Sequence, residues 1–294
     1  MKTFFFLKRS LAFFGTIGLA FSAFAQEKDQ ALASVVYDFI HVTDTNKREN
    51  PKKESMILYL GKFMSAYKSK TLALKLEEIR KEVGEENDNG NKRKLFSFNS
   101  PNVSNDELFL NPQKQKLIRV DKIGPTAYQI PEDYPIINWK ITNQTKIIGG
   151  YNCQQAFGEF GGRLYTVWFT PEIPFPYGPW KLHGLPGLIL QASDAKNDVQ
   201  FNYGGFKKEL DSKVSIALPD NAPQTTLKDF MKAKAAFEKN LMFNQKALAP
   251  GNANTRIVLK DQTGRQLSEN EFKEMMESRA NEKNPINNPL ELNK

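Results

Sequence analysis

Side chains able to do nucleophilic, acid–base or soft-metal chemistry are scarce in this 294-residue sequence, which holds one cysteine, Cys153, and two histidines, His41 and His183. A thiol beside an imidazole makes a nucleophile with its base, or two ligands of a soft-metal, copper-type site. Cys153 and His183 are therefore the candidates for either chemistry. No oxyanion motif accompanies them, and the G-x-S-x-G, H-E-x-x-H, P-loop and dinucleotide patterns are absent. The residues point to binding rather than catalysis, with no catalytic residue and no cofactor expected. The plain alternative for Cys153 is a small apolar residue buried in a strand.

The densest signal is the stretch Trp168 to Leu190, WFTPEIPFPYGPWKLHGLPGLIL. It holds five of the 16 prolines, at 171, 174, 176, 179 and 186, which stiffen the chain and remove backbone donors. Gly178, Gly184 and Gly187 permit positive φ or close backbone approach. The rings of Tyr165, Trp168, Phe175, Tyr177 and Trp180 frame a surface for an apolar ligand or a protein partner. Glu172 is the only carboxylate between Leu164 and Ser193. It suits three tasks: accepting hydrogen bonds from backbone amides freed by the loop's own irregular path, contacting a ligand, or acid catalysis.

Strands must carry this loop. Ser34–Val42 and Ser55–Phe63 read as the first pair, and Leu72, Leu76, Ile79 and Val83 fall on one face of a helix from about Ser69 to Val83. Glu85–Lys94 has no apolar residue and reads as a mobile loop. Phe96–Phe98, Glu107–Leu110 and Leu117–Val120 read as short strands, and Ile136–Thr142 and Ile147–Phe157 as the central ladder. Gly158–Gly162 turns the chain into Arg163–Thr170, and Leu188–Ala192 and Val199–Phe206 form a further hairpin. A helix capped at Thr225 or Thr226 carries Leu227, Phe230, Phe237 and Leu241 toward the sheet. Arg256–Leu259, a DQTG turn and the capping box Ser268-x-x-Glu271, heading a short helix with Phe272, Met275 and Met276, follow. The tail, 281–294, reads as extended.

Lys2, Lys8 and Arg9, the apolar run Leu11–Phe24 and the Ala23-Phe24-Ala25 site read as a secretory signal over 1–25. Its removal takes three basic and no acidic residues, lowering the net charge from +8 to +5. A modest excess of scattered lysines on an exported chain argues against nucleic acid. With a single cysteine the chain has no internal disulfide, so its stability must come from a core. The remaining chain, 26–280, is expected to form one mainly β domain, a long curved antiparallel sheet or open half-barrel whose concave side is partly covered by helices.

Gly184-Leu185-Pro186-Gly187-Leu188-Ile189 spells GLPGLI, and the chain resembles the GLPGLI family, also called Porph_ging. Trp139-x-Ile141, the I-x-G-Y-x-C-x-x-A pattern from Ile148 through Gly150, Tyr151 and Cys153 to Ala156, Trp168–Pro174 and Gly178–Trp180 share the family's order. Asn288-Pro289-Leu290-Glu291-Leu292 is similar to the short ends of many members. The resemblance implies a signal-bearing envelope protein without an established activity, periplasmic, secreted or outer-membrane-associated. Its implied partner is an outer-membrane TonB-dependent receptor or another envelope protein. A structural role for the GLPGLI residues and Cys153 is implied with it.

Overall fold

The computed structural model describes residues 28–85, 93–95, 103–208, 214–243, 256–260, 265–268, 270–271, 274 and 286–293. The signal segment, residues 86–92 of the polar loop, the Phe96–Phe98 strand, the DQTG turn and the residues Phe272, Met275 and Met276 lie outside these. In chain order the first elements are β1 (Lys28–Gln30), β2 (Ala33–His41), β3 (Lys52–Leu60), β4 (Ser65–Ser69), α1 (Lys70–Glu85), β5 (Arg93–Leu95), β6 (Glu107–Asn111), β7 (Lys116–Ile123) and β8 (Thr126–Glu132). They continue with β9 (Lys140–Ile148), β10 (Tyr151–Phe160), β11 (Arg163–Thr170), β12 (Leu188–Asp194), β13 (Val199–Lys208), β14 (Ser215–Ala217), α2 (Leu227–Phe243), β15 (Arg256–Lys260) and β16 (Gln266–Leu267).

The protein is mainly β, as its sequence predicts. Eleven antiparallel strands form one open sheet in the order β8-β7-β6-β4-β3-β2-β13-β12-β11-β10-β9. Two meanders account for this order: one runs outward from β2 to β8, and the other starts at β9 and returns to β13, which pairs with β2. Consecutive strands β8 and β9 therefore sit at opposite edges, joined only by the seven residues Asp133–Trp139. Ten gaps of about 4.8 Å would set the edges of a flat sheet about 48 Å apart, whereas a link this short reaches at most about 27 Å. The sheet must therefore curl, which gives it a concave face.

That face carries the main core, in which Val35, Tyr37, Leu58, Leu117, Val167 and Phe201 are buried together. A smaller core on the opposite face, with Ala66, Phe109 and Val120, is covered by the two-stranded sheet β1–β14 through Ile216. Helix α2 lies against β7 and β8: Phe230 packs on Tyr128 with ring centroids 5.7 Å apart, and Lys234 pairs with Asp121 at 3.0 Å. Helix α1 forms where the sequence places it, but Leu76 and Leu74 on it are 52% and 51% exposed, so its apolar stripe is not sealed. Among the described residues no helix is long and apolar enough to cross a membrane.

Several boundaries move for identifiable reasons. Gly149 and Gly150, at φ +58° and +87°, form the two-residue turn between β9 and β10, so the ladder expected over 136–142 and 147–157 is displaced to 140–148 and 151–160. The next turn narrows to Gly161 and Gly162, again both at positive φ, which leaves Gly158 in β10. β8 holds Pro131, tolerated because this is an edge strand. The second strand begins at Lys52 and ends at Leu60, and β4 follows it unforeseen. The capping box is made as expected, with Ser268 N donating to Glu271 at 2.8 Å and Glu271 N to Ser268 at 3.2 Å.

Candidate functional site

Residues 171–187 cross the concave face and are part of its core. Ile173, Tyr177, Trp180, Leu182 and Leu185 are buried there, and the backbone is clasped at its base by Leu188 N to Ile173 O and Ile189 N to Tyr177 O, both 3.0 Å. Gly187 is obligatory at this clasp, because a Cβ would stand 2.1 Å from the Thr170 carbonyl oxygen at φ +149°. Trp180 adopts φ +57°, which costs a non-glycine residue about 1–2 kcal/mol. Burying an indole of about 200 Å² returns about 5 kcal/mol, so packing wins. The ring stacks on Phe201 at 6.5 Å, Phe201 on Phe39 at 5.0 Å, and Phe160 meets Trp180 edge-on at 5.5 Å.

The ring surface framed from the sequence is thereby divided. Tyr165, Tyr177 and Trp180 are buried on the concave side, and Phe175 packs partly against the same core. Trp168, three residues beyond Tyr165, starts from the other face of β11 yet also packs partly against the main core, and Lys146 Nζ sits 4.2 Å above its ring and donates to Gln191 at 2.5 Å. Glu172 does accept a backbone amide, but from β10 rather than from its own loop: Asn152 N at 2.8 Å and Asn152 Nδ2 at 3.1 Å.

Cys153 pairs across from Lys146 and shares its face. It is 1% exposed, and burial pushes its thiol up to about 11 despite Lys146, so at neutral pH it is no thiolate. His183 lies elsewhere, between the loop and the β8–β9 link. Its Nε2 donates to Pro135 O at 2.9 Å, its Nδ1 faces the Tyr134 hydroxyl at 3.5 Å, and burial lowers its pKa, so the ring is neutral. Trp139 Nε1 donates to the His183 carbonyl at 2.7 Å. Each of the two candidate ligands thus has its own partners. Among the described residues no group of three or more His, Cys, Asp or Glu is placed to hold a metal.

The charged centre of the concave side is one that sequence reading passed over. Lys181, 2% exposed, ion-pairs with Glu132 of β8 at 2.5 Å and with Glu291 of the tail, and Arg119 of β7 joins Glu132 to Asp106. Burial pushes the Glu132 carboxyl up, but Arg119 and Lys181 together hold it down at about 2. A cavity of about 100 Å³ opens beside this chain of charges, lined by Phe39, Phe201, Trp180, Arg119, Leu290 and Glu291. It has room for a few waters or a small polar group, not for a lipid.

The second polar centre is Arg163, the first residue of β11. Nη1 binds Asp194 at 2.7 Å, while Nη2 and Nε reach Asn288 Oδ1, Pro289 O and Leu290 O of the tail at 2.6, 2.6 and 3.1 Å. Residues 286–293, part of the segment read as an extended tail, are thus folded back onto the sheet with Asn288 6% exposed. The sequence signals were thin: Arg163 follows a glycine pair, and Lys181 is the only cation between Arg163 and Lys196.

The fold and these centres define a class, an open, curled antiparallel sheet that fills its own concave side with a proline-rich loop and its own tail. Residues 163–191, covering β11, the loop and most of β12, match the family described as "Protein of unknown function (Porph_ging)", so the GLPGLI resemblance holds for that segment. Among solved structures, two chains described as "Structure of PNGF-II in P21 space group" and "Structure of PNGF-II in C2 space group" are similar in shape, with TM-scores of 0.48 and 0.47 at 14% and 13% identity. They cover 71% and 70% of this chain, which spans about a third of their length, 34% and 33%. No curated protein matches.

Proposed function

We propose that this is an exported, non-catalytic binding protein of the cell envelope that engages an extended segment of an envelope protein, with an outer-membrane TonB-dependent receptor as the leading partner. One observation carries the reading: the two edges of the sheet are treated differently. At β8 the chain covers itself, with Gln129 N donating to Pro223 O at 3.0 Å and Thr225 N to Gln129 O at 2.9 Å. At β9, a nine-residue strand hydrogen-bonded only to β10, no such cover is present among the described residues.

An uncovered edge offers a row of backbone donors and acceptors to another strand. Beside it stand apolar side chains: Ile136, Ile147 and Ile141 are 77%, 72% and 48% exposed. Exposed Lys140 and the net positive charge favour a strand flanked by acidic side chains. The loop rings support the same choice by their burial, because an apolar ligand would first have to displace Tyr177 and Trp180 from the core. The sealed thiol of Cys153 and the cation-paired carboxylates at 132 and 291 support binding over chemistry.

The test is a photo-crosslinking residue at position 143 in whole cells, with and without Ile141→Lys and Ile147→Lys. Ile141 and Ile147 are 48% and 72% exposed, so the variant folds, and lysines on an edge strand oppose strand addition. Crosslinking to the receptor is expected to fall at least tenfold. Undiminished capture by the folded double variant sinks the reading.

A further inference from the structure

The docked tail is bound the way a peptide is bound. Its backbone is read carbonyl by carbonyl: His41 Nε2 donates to Asn288 O at 2.8 Å, and Arg163 takes the carbonyls of Pro289 and Leu290. Pro289 has no N–H to satisfy, and Leu292 N donates to Gly161 O at 2.7 Å. Its side chains are read as well. Asn288 Nδ2 donates to Val42 O at 2.6 Å while its Oδ1 accepts from Arg163, and Glu291 meets Lys181. Leu290 packs partly against the core. The turn beneath is shaped to admit it, since Cβ atoms at Gly161 and Gly162 would come within 3.0 Å of Glu291 and 2.6 Å of Asn293.

The groove is built from buried groups that belong to the sheet and loop. Arg163, Asp194 and His41 are 4%, 5% and 5% exposed. Tyr165 adds a buried hydroxyl with no hydrogen-bond partner among the described residues, within the field of Arg163, Asp194 and Glu291. By contrast, no tail residue is a fully buried member of either apolar core. The tail leaves without opening a core, while the groove keeps its shape through Arg163–Asp194 and Asp194 Oδ1 accepting from Val199 N at 3.0 Å.

We infer that this groove is a peptide-recognition site for an extended Asn-Pro-Leu-Glu segment, filled in cis by the chain's own tail and open to the same segment of a second copy. The second copy is the source that carries this chemistry by construction, and exchange of an identical element between protomers needs no new interface chemistry. A tethered tail competes at an effective concentration near millimolar. Wild-type protein therefore stays closed on itself at micromolar concentration, and exchange shows only when the cis pairing is broken.

The experiment uses two full-length variants, Arg163→Ala, whose groove is broken, and Asn288→Ala with Glu291→Gln, whose tail is broken. Native mass spectrometry of the mixture at 100 µM (about a tenth of the effective concentration) is expected to show a heterodimer that neither variant forms alone. The synthetic peptide Ile286–Asn293 should bind the tail-broken variant and reduce the heterodimer at least tenfold. Circular dichroism confirms that each variant is folded, and Arg163→Lys, which keeps a cation beside Asp194 but loses the forked contacts to the tail, replaces Arg163→Ala as tail donor should that variant fail to fold. A peptide that does not bind folded tail-broken protein at about millimolar concentration overturns the site. Peptide binding without a heterodimer overturns exchange between copies.

Discussion

Two segments close the concave face, and different physics holds each in place. The loop over 171–187 is held by apolar burial: five of its side chains belong to the main core, and Lys181 is carried in with them. The tail over 286–293 is held by directional polar contacts to Arg163, His41, Val42 and Lys181, with Leu290 as its modest apolar anchor. Burial is non-directional and grows with area, so the loop is committed as long as the sheet exists. Hydrogen bonds exchange readily with water and with rival donors at small net cost, so the tail is bound but replaceable. The contrast separates what builds the fold from what can be traded by it.

The sharpest way to break this contrast is at Trp180. Trp180→Ala removes a stacked ring from the loop core and should lower stability by about 3–5 kcal/mol, read from the midpoint of denaturant unfolding. A loss below 1 kcal/mol (about a fivefold change in the folding constant at most) would show that the loop is no more committed than the tail. Next in size is Arg163→Ala, which removes three tail contacts and one partner of Asp194. It should cost about 1.5–3 kcal/mol, with the amide of Leu292 losing hydrogen-exchange protection while those of Leu188 and Ile189 keep theirs. Equal loss at all three sites would make tail and loop one cooperative unit.

The smallest effect, and the most discriminating, is with pH. His41 touches the tail and is lowered to about 4 by burial first, against the Asn288 carbonyl, which raises it, with Arg163 and Lys52 lowering it further. A depressed folded value means that its contribution is complete above the unfolded value of 6.5 and is lost as pH falls toward 4. Glu132, which anchors Lys181 of the loop, has a folded value near 2 against 4.5, so its contribution is lost only between those values. At pH 5.5 the His41 share lost is about 1.4 kcal/mol. Acidification from pH 7 to 5 should therefore loosen the tail, read by hydrogen exchange at Leu292, before near-ultraviolet dichroism registers any change at Trp180. Simultaneous transitions would count against separate anchoring.

Much of the fold was legible because local rules suffice for it. Arg163–Thr170 alternates with a period of two and is a strand at those bounds, and α2 begins after its Thr226 cap, whose hydroxyl accepts from Asp229 N at 3.1 Å. The site was less legible. Lys181 reads as a solvated cation between Trp180 and Leu182, and nothing local says that it meets Glu132 and Glu291, 49 and 110 residues away. Asn288 reads as tail for the same reason, with Arg163 lying 125 residues earlier. Trp168 and Tyr165 look like one aromatic frame in sequence, yet their odd spacing puts them on opposite faces of β11.

Periodicity, turn residues and the proline-rich run decided by themselves that the chain would be a mainly β protein with a stiff loop seated on its sheet, because those signals act over a few residues. The curl of the sheet, the pairing of β2 with β13, the burial of Lys181 and the docking of Asn288 were decided only in three dimensions. Each depends on where distant segments are carried when a short link must join the two edges of an eleven-stranded sheet.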